Sequence, residues 1–196
     1  LPLTVGGVAV TVVITDESAK LNLNTAPESN LRTLIQIATG MDQARAETLA
    51  QAISAWRNGS LTKPAAASIR AAYIAAGKRY APPFEPFRSL DELGLVLGMN
   101  PEILQRLTPH LSLYALDAGS AADPLVAEAR AIAGPAPAAP PWPRVVAIDA
   151  LAYGAHGTAF RRQAVVRLDP GRKPVYTILD WSHRWGPMPA DKFTKN

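Results

Sequence analysis

The sequence of 196 residues contains no cysteine. This absence excludes disulfides, thiolate metal sites and cysteine nucleophiles, although it does not distinguish the cytoplasm from the periplasm. No apolar run reaches the roughly 18 residues that a membrane-spanning helix needs, and no signal-peptide pattern is found. Because the chain begins with Leu1 rather than methionine, we expect that an upstream segment has been removed.

Clustered charge of one sign is also absent. The net charge is only +4, and the basic residues are scattered, with doublets such as Arg161-Arg162 and Arg172-Lys173. Nucleic-acid-binding proteins usually concentrate positive charge in a patch or stripe. Hydrophobic residues make up 48% of the chain and charged residues 18%, which indicates a folded globular protein rather than a disordered one.

The sequence contains no pattern typical of catalysis. Its three histidines, His110, His156 and His183, do not have the spacing of a metal-binding motif. Asp180, Ser182 and His183 are too close together in the chain to act as a catalytic triad, and no nucleophile elbow is present. Phosphate-binding and dinucleotide-binding glycine motifs are absent as well. We therefore assign no catalytic or cofactor-binding residues and predict that the protein is not an enzyme.

The first structural signal along the chain is a β-strand followed by a helix. Residues 8–14 alternate between two faces, which predicts a half-buried strand whose apolar face consists of Val8, Val10, Val12 and Ile14. The pattern changes at Thr25, which lies three residues before Glu28. This spacing is that of a capping box, so it predicts a helix with Thr25 as its N-cap.

The following stretch, up to residue 110, has the periodicity of helices joined by tight turns. Gly40 and Gly98 are placed to end helices, Asp42 and Asn100 to cap the helices that follow, and Ser89 to open a short helix in a second capping box. The two turns read Gly-Met-Asp and Gly-Met-Asn. This weak internal repeat suggests two helix–hairpin–helix units.

The last part of the chain is mostly β. A short strand at 111–115 and a helix that begins at Asp123-Pro124 precede a proline-rich connector at 135–143. Three strands follow, separated by short loops that predict an antiparallel meander; they cover residues 145–153, 160–169 and 175–181. The predicted fold class is therefore α+β, in which the first strand joins the last three in one sheet and the helices are inserted between them.

The paired helices leave a second function open. Helix–hairpin–helix units can bind the DNA backbone, because a Gly-hydrophobic-Gly turn exposes backbone amides to a phosphate at a helix N-terminus. Both turns in this chain lack the second glycine, and Asp42 places a negative charge where the phosphate would lie. A packing role is favoured, and a periplasmic DNA-binding protein is the alternative.

Four acidic residues in predicted turns could supply oxygen ligands to calcium: Asp16, Glu17, Asp117 and Asp123. No EF-hand pattern surrounds them, and carboxylates in turns are mostly helix caps or solvated groups. We therefore assign no metal ligands.

Several stretches resemble the type II secretion system protein K family, the large minor pseudopilins also called GspK. Residues 16–24, which read DESAKLNLN, resemble the family signature and are called the signature segment below. Further similar stretches follow in the family's order; they are 53–57, 87–99, 107–109, 162–168 and 176–181. The chain departs from the family pattern at Ala55, where the family has an acidic residue, and at 117–124, where it has a turn richer in Asn, Pro and Thr.

The resemblance implies a pseudopilin-like antiparallel sheet with a large all-helical insertion of the helix–hairpin–helix or SAM-like kind, and with the N-terminal hydrophobic helix absent. The implied domains are residues 1–24, the first part of the β domain, 25–110, the inserted helical domain, and 111–196, the remainder of the β domain. Family members can bind calcium in the helical region, so calcium is the one cofactor that the resemblance leaves open.

The resemblance also implies a role in assembly. The chain would be the periplasmic ectodomain of a pseudopilin that is anchored in the inner membrane of a Gram-negative bacterium. It would initiate or cap the tip of the pseudopilus with the I- and J-type minor pseudopilins, for protein export across the outer membrane. Nucleic acid is not an expected partner.

Overall fold

The computed structural model describes residues 1–115, 124–133, 144–153 and 159–184. These residues form two compact units. A sheet unit combines the residues up to Ser18 with the last three strands, and a helical unit begins at Ala19. The chain therefore leaves the sheet at Ser18 and returns to it only after the helices.

Within the described ranges there are seven strands and five α-helices. The strands are β1 (Pro2–Val5), β2 (Val8–Asp16), β3 (Leu21–Asn22), β4 (Leu111–Ser112), β5 (Arg144–Tyr153), β6 (Ala159–Leu168) and β7 (Tyr176–Arg184). The α-helices are α1 (Glu28–Thr39), α2 (Gln43–Arg57), α3 (Lys63–Ala75), α4 (Pro101–Leu107) and α5 (Pro124–Ala133), with short 3-10 helices at Leu90–Leu95 and Thr108–His110. An antiparallel sheet together with several helices confirms the predicted α+β class.

The sheet unit has the strand order β1-β2-β5-β6-β7, and every neighbouring pair is antiparallel. β2 pairs with β5 in a register that places Val12 opposite Ala150, so the prediction that the first strand joins the last three is confirmed. The meander of β5, β6 and β7 is confirmed as well. β1 was not predicted; it is joined to β2 by Gly6 and Gly7, whose φ angles of 55° and 80° lie in the left-handed region that favours glycine.

The prediction that β2 is half-buried is wrong. None of its residues is buried, and Val8 and Ile14 are 41% and 53% exposed. The alternation correctly separates the two faces, because Ile14 lies opposite Ile148, and Ile148 lies opposite Ala164, on one face of the sheet. The outer strands keep large side chains about half exposed on this apolar face, although Ala164 on β6 is buried. The other face buries alternate residues of β5, namely Val145, Ala147, Asp149 and Leu151.

The helical unit is built around α1, which packs against α2, α4 and α5. Leu31, Leu34 and Ile35 are almost fully buried, at the helical spacing of a core-facing stripe. Gly40 ends α1 in the left-handed conformation with φ of 70°, and its N–H donates to the Gln36 carbonyl at 2.8 Å. The predicted role of Gly40 as a helix stop is therefore confirmed.

Side-chain caps begin the later helices of this unit. Asp42 Oδ1 accepts from the N–H of Arg45 at 3.0 Å, and Asn100 Oδ1 accepts from the N–H of Ile103 at 2.8 Å. Both predicted caps are confirmed. Ser89 also caps as predicted, since its Oγ accepts from the N–H of Asp91 at 2.9 Å, but the segment that it opens is a 3-10 helix rather than an α-helix.

The prediction that Thr25 is the N-cap of α1 is wrong. The helix begins at Glu28, its N-cap is Pro27, and no side chain caps it. The Pro27 carbonyl accepts from the N–H of Asn30 and of Leu31, at 3.0 and 3.1 Å. Proline fixes φ near the helical value and is well suited to this junction, so Pro27 becomes the N-cap, two residues after Thr25.

The boundaries of the two compact units differ from the domain boundaries at residues 24 and 110 that the sequence analysis gave. The structure divides between Ser18 and Ala19, because β3 pairs in parallel with β4 in a two-stranded sheet that belongs to the helical unit. Asp123 and the connector at 135–143 lie outside the described residues. Among the described residues, no helix combines the length and the apolar character needed to cross a membrane.

Candidate functional site: the signature segment and the exposed sheet face

The first half of the signature segment fastens the end of β2 to the start of β5. The Oγ of Ser18 accepts from the N–H of Val145 at 2.6 Å and donates to its carbonyl at 3.3 Å. The same carbonyl accepts from the N–H groups of Glu17 and Ser18, at 2.8 and 3.2 Å. Asp16 Oδ1 accepts from the N–H of Ser18 at 2.9 Å, and Asp16 Oδ2 lies 3.6 Å from Arg144 NH1. The polar groups of this segment are therefore engaged in the fold.

In the second half of the segment, the side-chain amides of Asn22 and Asn24 form hydrogen bonds with backbone groups. Asn24 Nδ2 donates to the carbonyl of Phe87 at 3.0 Å, and Asn24 Oδ1 accepts from the N–H of Phe87 at 2.8 Å. Asn22 Nδ2 donates to the carbonyl of Ala115 at 2.6 Å, and Asn22 Oδ1 accepts from the N–H of Asn24 at 2.8 Å. Each side-chain NH2 group donates to a backbone carbonyl of the helical unit that lies far away in sequence.

Replacing Asn24 by alanine is expected to lower the free energy of unfolding by about 2 kcal/mol, because it leaves both backbone groups of Phe87, a buried residue, without these partners. Urea denaturation followed by circular dichroism measures this loss. Asn58→Ala is the matched control, since the Asn58 side chain accepts one exposed bond, from the N–H of Ser60 at 2.9 Å. Equal losses in the two variants would contradict the role assigned to Asn24.

Arg57, at the end of α2, holds the chain on both sides of Asn24. Its guanidinium donates from NH1 to the Leu23 carbonyl and from NH2 to the Ala26 carbonyl. Burial lowers the pKa of Arg57, while the nearby carboxylate of Glu28 acts in the opposite direction. An arginine stays charged in either case. Sequence reasoning assigned no role to Arg57, because its acceptors are backbone groups more than 30 residues away.

Replacing Arg57 by methionine is expected to cost about 2 kcal/mol, since two charge-assisted bonds to backbone carbonyls are lost while the apolar stem is kept. Thermal and urea denaturation measure the change. Arg45→Met is the matched control on the same helix, because the Arg45 side chain is 76% exposed and lies 4.0 Å from Asp42. Exposed pairs of this kind contribute little, so a comparable loss in the control would refute the assignment.

The residues considered for catalysis or calcium do not form a site in the described structure. His110 lies in the 3-10 helix Thr108–His110 and His183 lies in β7, whereas His156, Asp117 and Asp123 lie outside the described residues. Asp180, Ser182 and His183 follow one another along β7. Within the described ranges, no three acidic or histidine side chains come together to hold a metal ion. Calcium binding stays a prediction.

The two glycine turns are arranged for packing. Gly40 and Gly98 both have positive φ, 70° and 89°, and each turn leads into a helix whose N-terminus is capped by the chain's own side chain. A phosphate bound there would compete with Asp42, which carries the same sign of charge as the phosphate itself. The arrangement gives no support to the DNA-binding alternative.

The exposed apolar face of the sheet is the surface best suited to binding. Large side chains from both ends of the sheet are about half exposed on it, including Leu3, Ile14, Tyr176, Ile178 and Trp181. A groove of about 470 Å³ lies on this face over β5, β6 and β7 and is lined mainly by apolar residues. Exposed apolar patches of this extent usually mark interaction surfaces. The sequence alternation reveals such a face, but it cannot show how exposed that face is among the described residues.

A family model for protein K of the type II secretion system (T2SS) matches residues 15–116. This match covers more than half of the 196 residues. It begins just before the signature segment and continues through α4 to the end of the β3–β4 sheet.

The chain belongs to the type II secretion system protein K family. As a protein K, it is a minor pseudopilin of a protein-secretion system, which confirms the resemblance noted in the sequence. The polar network of the signature segment gives that family resemblance a structural basis, because the conspicuous Ser and Asn side chains are the ones that bond to distant backbone groups.

The fold of this protein K is similar to that of a chain in the crystal structure of the GspK-GspI-GspJ complex from the type 2 secretion system of enterotoxigenic Escherichia coli. The TM-score is 0.61 with 14% sequence identity, and the similarity covers 95% of this chain and 83% of that chain. At this identity the likeness concerns the fold. No curated protein sequence gives a match.

Proposed function

We propose that this chain is the periplasmic ectodomain of a tip subunit, which initiates or caps the pseudopilus and has no catalytic activity of its own. The observation that carries the proposal is the family match over residues 15–116. That range holds the signature segment and α1 to α4, so the helices belong to what the family has in common rather than to an unrelated addition.

The position at the tip follows from the inserted helical unit. A pseudopilin of the protein K family carries this unit between two strands that pair with each other, β2 and β5. Subunits along a fibre repeat the same contacts, and an additional compact unit would obstruct a further subunit stacked on it. We infer that this bulk restricts protein K to the end of the fibre. We also propose that the inserted unit is of the helix–hairpin–helix or SAM-like kind.

The absence of catalysis is supported by how the polar side chains are used. Ser18, Asn22 and Asn24, the polar residues that stand out in the signature, are bonded to backbone groups of the fold. Among the described residues, several large apolar side chains of the sheet are about half exposed, which suits protein–protein binding better than reaction chemistry.

The proposed partners are the I- and J-type minor pseudopilins, in a complex anchored to the inner membrane. The similar solved fold comes from a GspK-GspI-GspJ complex, which supports this choice. The export route that the complex serves leads across the outer membrane.

Size-exclusion chromatography with light scattering tests this proposal. We expect an equimolar complex when the chain is mixed with the I- and J-type ectodomains from the same bacterium, and no complex with an unrelated major pseudopilin ectodomain as the control. Persistent monomer at micromolar concentration would refute it. A salt-sensitive shift of duplex DNA by the isolated chain would instead favour the DNA-binding alternative.

A further inference from the structure

The helical unit contains a stretch of the chain in which positive charge has no acidic counterpart. Between Glu47 and Glu85 the sequence contains no aspartate or glutamate, and its exposed basic side chains are Lys63, Arg70, Lys78 and Arg79. In the part of the chain that the structure describes, no ion pair involves any of these four, whereas other exposed arginines of the unit lie within 4.0 Å of a carboxylate; they are Arg45, Arg88 and Arg106. The missing acidic residues, rather than a run of basic ones, therefore leave this stretch positive.

The end of α3 fixes the backbone beside these groups. Arg70 and Ile74 are four residues apart in α3, so they lie on the same face of the helix. Gly77 follows with φ of 73°, in the left-handed region. Its N–H donates to the Ile74 carbonyl at 2.9 Å, and the N–H of Lys78 donates to the Tyr73 carbonyl at 3.0 Å. This pair of bonds is a Schellman motif, which holds Lys78 against the last turn of α3.

Large apolar side chains lie near the basic ones. Ile74, Tyr80 and Leu95 are 71%, 37% and 42% exposed. The Tyr80 hydroxyl donates to the Leu95 carbonyl at 3.2 Å, and the centre of the Tyr80 ring lies 6.0 Å from that of Tyr73, the residue before Ile74. These contacts bring Tyr80 and Leu95 to the end of α3. We call the resulting patch the α3 surface; it consists of Arg70, Ile74, Lys78, Arg79, Tyr80 and Leu95.

Arg70 is held in place by an aromatic ring. The central carbon of its guanidinium lies 4.8 Å from the centre of the Phe84 ring, and an arginine stacked on a ring keeps its N–H edges available for a carboxylate. Phe84 has φ of 58°, a value that bulky residues rarely adopt. Backbone strain of this kind occurs mainly at functional sites. Because Arg70 is already ordered, a partner that binds it loses less conformational entropy.

We propose that the α3 surface binds an acidic segment of another protein, in which carboxylates lie on both sides of a large apolar side chain. The carboxylates pair with Arg70, Lys78 and Arg79, and the apolar side chain packs on Ile74 and Tyr80. Complementary charge provides specificity and fast association, and arginine and tyrosine are among the residues that dominate binding energy at interfaces. The inference goes beyond the proposed function and does not depend on it, because it uses residues of the helical unit alone.

Other occupants fit the α3 surface less well. A nucleic acid would use the cations but leave Ile74 against phosphate or water. A membrane-surface helix inserts leucine or aromatic residues, whereas the exposed apolar residues of α3 other than Ile74 are mostly alanines. A second copy of the chain would have to supply carboxylates, and several of those on the helical unit already lie within 4.0 Å of an arginine; they are Asp42, Glu85 and Glu102.

Selection from a random peptide library displayed on phage tests the inference, with the whole chain as the target. The selected peptides are then synthesised and titrated against the isotope-labelled chain by NMR. We expect the selected peptides to contain several acidic residues around a leucine, isoleucine or aromatic residue, and the resonances that shift should be those of the α3 surface. Matched peptides with glutamine or asparagine in place of the acidic residues should not bind.

Three variants make the test specific. Replacing Arg70 and Lys78 together by glutamine should weaken binding of the acidic peptides by about tenfold or more. The control replaces Arg45 and Arg106 together by glutamine; it changes the net charge equally and should bind like the parent chain, because both arginines already lie beside a carboxylate. Ile74→Ser should weaken binding by about threefold to tenfold, since this exposed side chain becomes buried in the complex.

Several results would overturn the inference. Equal losses in the two double variants would do so, as would equal binding of the acidic peptides and their amide counterparts, a comparison on the parent chain that holds even if a variant does not fold. Selected peptides that lack acidic residues, or that shift only resonances of the sheet unit, would also overturn it. So would duplex DNA or phosphatidylglycerol vesicles that bind the α3 surface with an affinity unchanged by Ile74→Ser, because phosphate recognition would then explain the charge.

Discussion

Replacing Trp56 by alanine is expected to destabilise the protein by about 3–5 kcal/mol, the largest effect of any single substitution considered for the helical unit. Trp56 is 3% exposed. Its ring stacks on Phe87 with the ring centres 5.8 Å apart and lies 6.4 Å from the ring of Tyr73. Its indole N–H has no hydrogen-bond partner in the described chain, so the loss comes from apolar packing and from the cavity left behind.

The control is Trp181→Ala, which removes the same side chain from a site that is 58% exposed on the sheet. Surface substitutions of this kind usually change stability by less than about 1 kcal/mol. Urea denaturation of both variants, followed by circular dichroism, gives the comparison. If Trp181→Ala proved the more damaging of the two, the assignment of Trp56 to the core and of Trp181 to an open face would be wrong.

Replacing Asp149 by asparagine is expected to cost about 3 kcal/mol in the sheet unit. Asp149 Oδ1 accepts from Nε and NH2 of Arg161 at 2.9 and 2.6 Å, and its Oδ2 lies 3.4 Å from Gln163 Nε2. The side chains of Asp149 and Arg161 are only 7% and 19% exposed. Removing one member of a largely buried ion pair leaves the other charge uncompensated, which is more costly than the pair is stabilising.

Asp169→Asn, directly after the end of β6, serves as the control. Asp169 pairs with Arg172 at 3.3 Å, but the Arg172 side chain is 77% exposed, so this pair should contribute less than about 1 kcal/mol. A double variant in which Asp149 and Arg161 are replaced by leucine and methionine should recover part of the loss, since neither charge then remains buried. If Asp149→Asn and Asp169→Asn destabilised the protein equally, the conclusion that burial makes the Asp149–Arg161 pair costly to break would be contradicted.

The features that sequence reasoning predicted well depend on near neighbours. Asp42 and Asn100 cap helices through residues three positions away, and Gly40 ends α1 through its own backbone conformation. Thr25 shows the limit of that approach, because the capping-box pattern predicts the wrong N-cap when the proline two positions later takes that place.

The interactions that give the signature segment its role could not be predicted, because they join distant residues. Asn24 forms hydrogen bonds with Phe87, which is 63 residues away in the sequence, and Ser18 with Val145, which is 127 residues away. The strand alternation likewise identified the apolar face of β2 but not its exposure, since a period of two shows which side chains share a face and leaves open what covers it. β1 was missed although Gly6-Gly7 is a known hairpin signal.

Labelling the subunit in assembled pseudopili tests the central claim most directly. With a small tag placed on the full-length protein and detected by gold particles in electron micrographs, a tip subunit should give one label at one end of each fibre. The tagged protein must still support secretion, which serves as the control for its function. Labels distributed along the length of the fibre would contradict the account, because the inserted helical unit would then be compatible with repeated stacking.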